Sequence, residues 1–322
     1  MARRVRRASS GLTGPELAAG FASVEVAPGQ VVLVHSAMRT LGLVDGGADA
    51  VARALLDAVG PRGTVVVPTF TFAHEAEAHP IIDPAVDPSE MGAITEAIRR
   101  HPDARRSLAY RHSFAAVGRR ADVITGVDPR LAPFDLRSAF GVMLALDTQV
   151  LLIGVTYSNS TSHHFAEWIC EVPYRHTVVR RVRVRRPDGR LVPMRMADFQ
   201  PRPSTDGSYY GSRATDFNRL GRMLEERGLV GVSAIGNAMV RRFAMRDLIA
   251  LAQGEAARDF NVFRTPEGKK TEITGLPDGR IAMSEEILDG AGRPERHVWS
   301  VVDPAAIFRH DEPGDEPGDE PS

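Results

Sequence analysis

The sequence predicts an α/β fold, and three observations carry that reading. A short apolar run, Val-Val-Leu-Val at 31–34, is followed by a loop, an amphipathic stretch at 48–59 and a second apolar run, TVVVPTF at 64–70. Strand, loop, helix, strand is the rhythm of a βαβ unit. A third run, VLLIGV at 150–155, is the most apolar in the chain. A polar stretch that opens a helix, SNSTSHHFAEWICEV, follows it directly. In such folds, side chains that leave the carboxyl end of a buried strand are where sites are usually placed.

Each element has its own local reason. Thr13 with Glu16 three residues on has the form of a capping box and predicts a short helix. In 48–59 the residues Val51, Leu55 and Val59 share one helical face, and Gly60-Pro61 stops the helix. Residues 71–88 are polar and Pro-rich and predict a loop. Helices are predicted at 89–100, 216–227 and 239–252, a strand at 111–118 and a loop at 126–137. The segment VVRRVRVRRPDGRLVPMRM alternates about a Pro-Asp-Gly turn and predicts a β-hairpin. Its Arg181, Arg183 and Arg185 fall on one strand face. They are either a solvated edge that resists aggregation or a phosphate contact. Residues 258–308 mix turn signals with short apolar runs and read as β-rich.

Composition bounds the function. In 322 residues, 40 Lys and Arg against 41 Asp and Glu leave a charge of −1, which argues against nucleic acid as the main partner. The apolar runs are far shorter than the ~20 residues of a membrane span. The single cysteine, Cys170, permits no intrachain disulfide. The start, MARRVRRASSG, lacks the apolar core of a signal peptide, so the expected location is the cytoplasm. The end, DEPGDEPGDEPS, is charged low-complexity sequence and is expected to be a solvated tail. The expected organisation is a flexible basic stretch at 1–12, an α/β domain over 13–255, a β-rich extension of it over 256–309 and an acidic tail at 310–322.

Among ten histidines the informative one is His164. His164 and Glu167 are three apart on the predicted helix and share a face. A carboxylate orients an imidazole and raises its basicity, as a general base requires, although exposed helix pairs have the same spacing. An inverted zinc motif would need a histidine directly after Glu167, where Trp168 stands, so no metal is expected. Cys170 is in apolar company and reads as a packed thiol. There is no Gly-x-Ser-x-Gly elbow, Walker loop or Gly-x-Gly-x-x-Gly. The loop HSAMRTLG at 35–42 could cradle phosphate with its amides or could be a plain connection.

Taken together, VVLVHSAMRTLGLVDGGADAVARALLDAVGPRGTVVVPTFTF, MGAITEAIRR, the RRS and HSFAAVG pair, LLIGVTYSNSTSHHFAEWICEVPYR and DFNRLGRMLEERGLVGVSAIGNAMVRRFAMRDLIALA resemble the aminoglycoside 3-N-acetyltransferase family, also called the antibiotic N-acetyltransferase family. The resemblance runs in order over about residues 13–252. It implies a mixed central sheet flanked by helices, and transfer of an acetyl group from acetyl-CoA to an amine, commonly an aminoglycoside, in antibiotic resistance. It carries the active-site histidine onto His164, the helix glutamate onto Glu167, a later acid onto Asp198 and a threonine onto Thr161. The CoA-binding loop falls on His35, Ser36, Ala37, Met38, Arg39, Thr40, Leu41 and Gly42, and two further pocket positions fall on Thr69 and Ser113.

The implied chemistry is direct transfer. His164, oriented by Glu167 or Asp198, takes the proton of the acceptor's ammonium, and Thr161 with loop amides stabilises the oxyanion. The chain departs from the family motif at Ala109-Tyr110, Ser138-Ala139 and Ser160, and it adds His163. These departures fall mostly on the acceptor side. Glu75, Glu77, Asp83 and Asp87 are the acids that could receive a cationic acceptor, or they form a solvated loop. The alternatives are an acyl-CoA-dependent acyltransferase for a different amine in natural-product biosynthesis, and a non-catalytic CoA-binding or partner-binding homologue. A dimer contact would suit the β-rich extension.

Overall fold

The structure is a computed structural model and describes residues 11–77, 79–201, 215–264, 269–275, 281–288 and 294–302. Residues 1–10 of the basic stretch expected at 1–12, and the acidic tail at 310–322, lie outside the described residues. The chain opens with α1 (Gly14–Ser23), whose capping box joins Thr13 and Glu16. Then β1 (Val31–Ser36), α2 (Gly47–Val59) and β2 (Thr64–Pro68) form the expected βαβ unit. A two-residue strand β3 (Ile81–Ile82) precedes α3 (Ala93–Arg99), β4 (Arg105–Arg106) and β5 (Phe114–Gly118). Next come α4 (Ala121–Thr125), α5 (Ala139–Ala145), β6 (Gln149–Ile153) and α6 (Ser162–Ile169). The long hairpin β7 (Arg175–Arg185) and β8 (Leu191–Pro201) follows. After it come α7 (Phe217–Glu226), β9 (Val230–Ile235), β10 (Ala238–Ala244) and α8 (Met245–Ala256).

The central sheet is mixed and has seven strands in the order β4-β5-β2-β1-β6-β10-β9. The neighbours β2-β1-β6 are parallel; β5, β10 and the edges run antiparallel. Helices cover both faces, so the inner strands are apolar on both sides. On one face Val32, Val34, Val65, Val67 and Leu151 meet Leu17, Phe21, Leu55 and Ile98 of α1, α2 and α3. On the other, Leu33, Val66, Val150 and Leu152 meet Phe140, Phe165, Leu220 and Leu248 of α5 to α8. Each of these large side chains is fully buried and contributes about 1.5–3 kcal/mol. The hairpin pairs with β3 over a smaller core of Ile82, Tyr110, Val182, Val184 and Met196. The last three strands, β11 (Lys269–Gly275), β12 (Ile281–Leu288) and β13 (Pro294–Val302), form an antiparallel sheet.

Several local expectations are corrected. Residues 239–252 are not one helix: 238–244 form β10, and the helix begins at Met245. Val240 and Phe243 have helical spacing, but in a strand that spacing points them to opposite faces. Val240 enters one core and Phe243 the other. The predicted helix at 89–100 starts at Ala93, because Gly92 has φ +106°. The strand predicted at 111–118 starts at Phe114, after a tight turn in which Ser113 N donates to Arg111 O. The helices α4 and α5 flank the predicted loop.

Candidate active site

The strands β1 and β6 lie side by side and parallel, with Ser36 opposite Ile153. From β1 the chain goes to β2 on one side and later returns to β6 on the other. The carboxyl ends of this pair are therefore a topological switch point, the usual crevice of an open α/β sheet. Both segments singled out in the sequence leave the sheet here.

After β1 a short 3-10 turn, Met38–Leu41, is pinned to the end of β6. Ala37 N donates to Ile153 O at 2.9 Å, and Thr40 Oγ1 donates to Ala37 O at 2.6 Å. The turn rests on Gly154, which has φ +63° and whose Cβ, if present, would lie 1.6 Å from Thr40 Oγ1. Gly42, at φ +79°, turns the chain away. Arg39 is exposed, and Ser36 is half-buried. His35 is buried, its Nε2 has no hydrogen-bond partner, and burial lowers its pKa to about 4.

After β6 a 3-10 turn at Tyr157–Asn159 leads to Thr161, the N-cap of α6. His164 lies one turn in, with 29% of its side chain exposed, and Glu167 is fully buried. His164 Nδ1 is 2.6 Å from Glu167 Oε2. A carboxylate only accepts, so Nδ1 carries the hydrogen and Nε2 keeps its lone pair. Arg175 Nε is 2.7 Å from the same carboxylate oxygen, and Tyr174 donates its hydroxyl to Oε1 at 3.0 Å. A buried carboxylate is tolerable only with such compensation. Burial lowers the His164 pKa, with Arg175 acting in the same direction and Glu167 opposing it, so the ring is neutral at neutral pH. Phe217 meets the ring edge-on at 4.7 Å between centroids, and Phe134 lies at 6.2 Å.

The structure separates the two acids proposed to orient His164. Glu167 bonds its ring directly. Asp198, also buried, accepts from Phe199 N at 2.9 Å and Gln200 Nε2 at 2.5 Å, with Arg111 and His112 at 3.7 and 3.9 Å. Thr161 is buried at the start of α6. Thr69 and Ser113 are buried and share a 2.9 Å hydrogen bond, and both are engaged by Arg106. Of the loop acids, Glu75 pairs with Arg111 at 2.9 Å, Asp83 with Arg185 at 3.1 Å and Asp87 with His74 at 3.0 Å, while Glu77 is exposed. Arg181 and Arg183 are exposed on the hairpin. Burial raises the Cys170 thiol to about 11, so it is protonated and a poor nucleophile.

Sequence reasoning missed the partners of Glu167. Tyr174 and Arg175 lie beyond the end of α6, at the start of β7, and the need of a buried carboxylate for a cation was the available signal. The aromatic surround of Phe134 and Phe217 comes from distant segments and had no local signal. His163 is fully buried and stacks on Phe217 at 5.0 Å, with neither ring nitrogen partnered.

With this geometry in place, the likeness to known proteins is decisive. The aminoglycoside 3-N-acetyltransferase family profile matches residues 33–255. The chain belongs to the aminoglycoside 3-N-acetyltransferase family. It is 32% identical over 257 residues to aminoglycoside N(3)-acetyltransferase IV of Salmonella sp, covering 79% of this chain and 91% of that protein. It is 30% identical to aminoglycoside N(3)-acetyltransferase VII of Streptomyces paromomycinus, covering 76% of this chain and 91% of that one. Among solved structures, the apoenzyme of aminoglycoside acetyltransferase AAC(3)-IVa is similar with TM-score 0.64 and 30% identity, over 80% of this chain and 93% of that one. A histidine-to-alanine mutant of that enzyme, in complex with apramycin, matches with TM-score 0.63 and 28% identity, over 80% and 96%. Like these relatives, this member is an acyltransferase. Among its described residues no helix is long and apolar enough to cross a membrane.

Proposed function

We propose that this acetyltransferase moves the acetyl group of acetyl-CoA to an amino group of an aminoglycoside or a similar amine, with His164 as general base. The observation that carries the reading is the 2.6 Å bond from His164 to a fully buried Glu167, which leaves a neutral, oriented Nε2 on the open side of the ring. The reading also rests on the acetyltransferase activity for which the relatives are named and on the apramycin complex of AAC(3)-IVa.

A protonated amine has no lone pair with which to attack a thioester. His164 Nε2 accepts a proton from the acceptor's ammonium, which frees the lone pair to form the C–N bond as the C–S bond breaks. The proton on His164 then passes to the departing thiolate, and the second proton that the nitrogen sheds as the amide forms is released to solvent. Glu167 holds the ring and stabilises its cationic form, and Arg175 and Tyr174 hold Glu167. Thr161 and the amides of 35–42 are assigned to the oxyanion. The donor is assigned to the loop at 35–42, where exposed Arg39 suits a phosphate and the buried Nε2 of His35 lacks a partner. Acetyl-CoA supplies the activated acetyl group. A cytoplasmic setting suits such a donor.

The test is thiol release from acetyl-CoA over a panel of aminoglycosides and simple amines. The substitution His164→Ala is expected to lower kcat at least about a hundredfold, the usual contribution of a positioned base. It leaves Glu167 paired with Arg175 and Tyr174, so the fold is retained. Full turnover by that variant with its best acceptor overturns the assignment.

A further inference from the structure

The acceptor side of the site contains a cation where an amine acceptor would be expected to meet only acids. Arg111 lies in the segment between β4 and β5, next to Ala109-Tyr110, where the sequence departs from the family motif. Its Nη2 is 2.9 Å from Glu75 Oε2 and 3.7 Å from Asp198 Oδ2. These carboxylates come from the 3-10 turn Phe72–Ala76 and from β8. The guanidinium is held at one end only, because its buried Nε has no hydrogen-bond partner. Asp198 is 1% exposed, so its charge acts on a ligand mainly past Arg111 and His112.

Arg111, His112, Tyr110 and Asp198 line a narrow crevice of about 30 Å³, room for a small polar group at its mouth. The buried ring of Phe134 packs between this cluster and the base, 5.0 Å from His112 and 6.2 Å from His164. The positive charge of Arg111 reaches both imidazoles and lowers the basicity of each.

Two carboxylates beside a proton acceptor make a natural seat for ammonium groups. Here a guanidinium already occupies that seat. It cancels part of the acids' charge and repels each further ammonium that a polyamine brings. A monoamine spends its only charge at the base and meets this repulsion once; a polyamine meets it several times.

We propose that Arg111 sets acceptor specificity in this enzyme by acting as a built-in counter-cation between Glu75 and Asp198, which limits how many ammonium groups an acceptor can place beside this charge cluster. The proposal rests on the acetyltransferase reading above.

The experiment compares wild type, Arg111→Gln, Arg111→Lys and Glu75→Gln. The probes are gentamicin as the polyamine and glucosamine as the monoamine. Acceptor KM is read by thiol release and Kd by calorimetry without the donor, after thermal melts establish that each variant is folded. Arg111→Gln is expected to lower both constants for gentamicin by about three- to tenfold, with less than a twofold change for glucosamine. Arg111→Lys is expected to restore the wild-type ratio. Glu75→Gln, which removes the acid and leaves the cation, is expected to raise the gentamicin constants. Equal changes for both probes, no change for either, or a lysine variant that behaves like the glutamine variant overturns the proposal. Absence of thiol release by wild type with every amine, alongside the charge-dependent gain in Kd, would instead overturn the catalytic reading and leave the role of Arg111 standing.

Discussion

Replacing Glu167 with glutamine tests the site most sharply, because the carboxylate serves two purposes that can be separated. It bonds His164 Nδ1 at 2.6 Å, and it neutralises Arg175, whose Nε is 2.7 Å away. Both partners of that ion pair are nearly inaccessible to water, at 0% for the glutamate and 6% for the arginine side chain. Breaking such a pair from one side strands a buried charge and costs about 3–5 kcal/mol. That is a large share of the 5–15 kcal/mol typical of a whole protein, and a fall in Tm of roughly 10 °C is expected. The catalytic loss has a different source. A charge-assisted bond to the base is worth about 1.5–3 kcal/mol, or roughly a 10- to 150-fold fall in kcat/KM. The double variant Glu167→Gln/Arg175→Met removes the stranded cation and keeps an apolar stem in its place. It is expected to recover most of the Tm and none of the activity. Melts by circular dichroism and thiol release from acetyl-CoA read the two quantities. Turnover within twofold of wild type in Glu167→Gln, or recovery of turnover along with Tm in the double variant, refutes the assignment of Glu167 as the residue that positions the base.

Three further outcomes follow from single residues. Gly154→Ala places a methyl group 1.6 Å from Thr40 Oγ1 at φ +63°, so the 38–41 turn must shift; about 1–3 kcal/mol of stability should be lost, and the KM for acetyl-CoA should rise several-fold while that for gentamicin changes less than twofold. The His164 pKa lies below its ordinary 6.5, so kcat/KM should rise with pH through an acid limb centred below 6.5, and an acid limb centred above 6.5 in a titration from pH 4.5 to 9 contradicts this. Burial lowers the His163 pKa from 6.5 to about 3, so unfolded chains bind a proton that the native state refuses. Its stability contribution is whole above pH 6.5 and falls as pH drops toward 3, by about 3 kcal/mol at pH 4. His163→Leu should therefore hold its Tm further into acid than wild type, and parallel losses in the two proteins exclude that role.

What was legible in the sequence is what lies close along the chain. The βαβ unit was readable because Val-Val-Leu-Val and Thr-Val-Val-Val-Pro are short apolar runs separated by one amphipathic turn pattern. The pair His164 and Glu167 was readable because a helix brings residues three apart onto one face. The same logic failed at β10. A sheet covered on both sides buries residues of either parity, so Val240 and Phe243 are both interior, and their spacing of three imitates a helical stripe. Periodicity identifies a helix only when one side of the element faces water.

The choice between Glu167 and Asp198 was closed to the sequence for a related reason. Either acid could be written beside an imidazole, and only burial decides what each must hold. Glu167 is buried on α6 and needs a cation there, which the first residue of β7 supplies as Arg175; that cation fixes the carboxylate, and the carboxylate fixes the ring. Asp198 is buried on β8 of the hairpin, and its cation is Arg111 from another part of the chain. The two acids thus anchor two distinct charge clusters, joined through the ring of Phe134. In the function proposed above, one cluster orients the base, and the other tempers the field that an incoming amine meets. Such a division can be found only where distant segments pack together, because each cluster is completed by a residue that no local spacing associates with its partner.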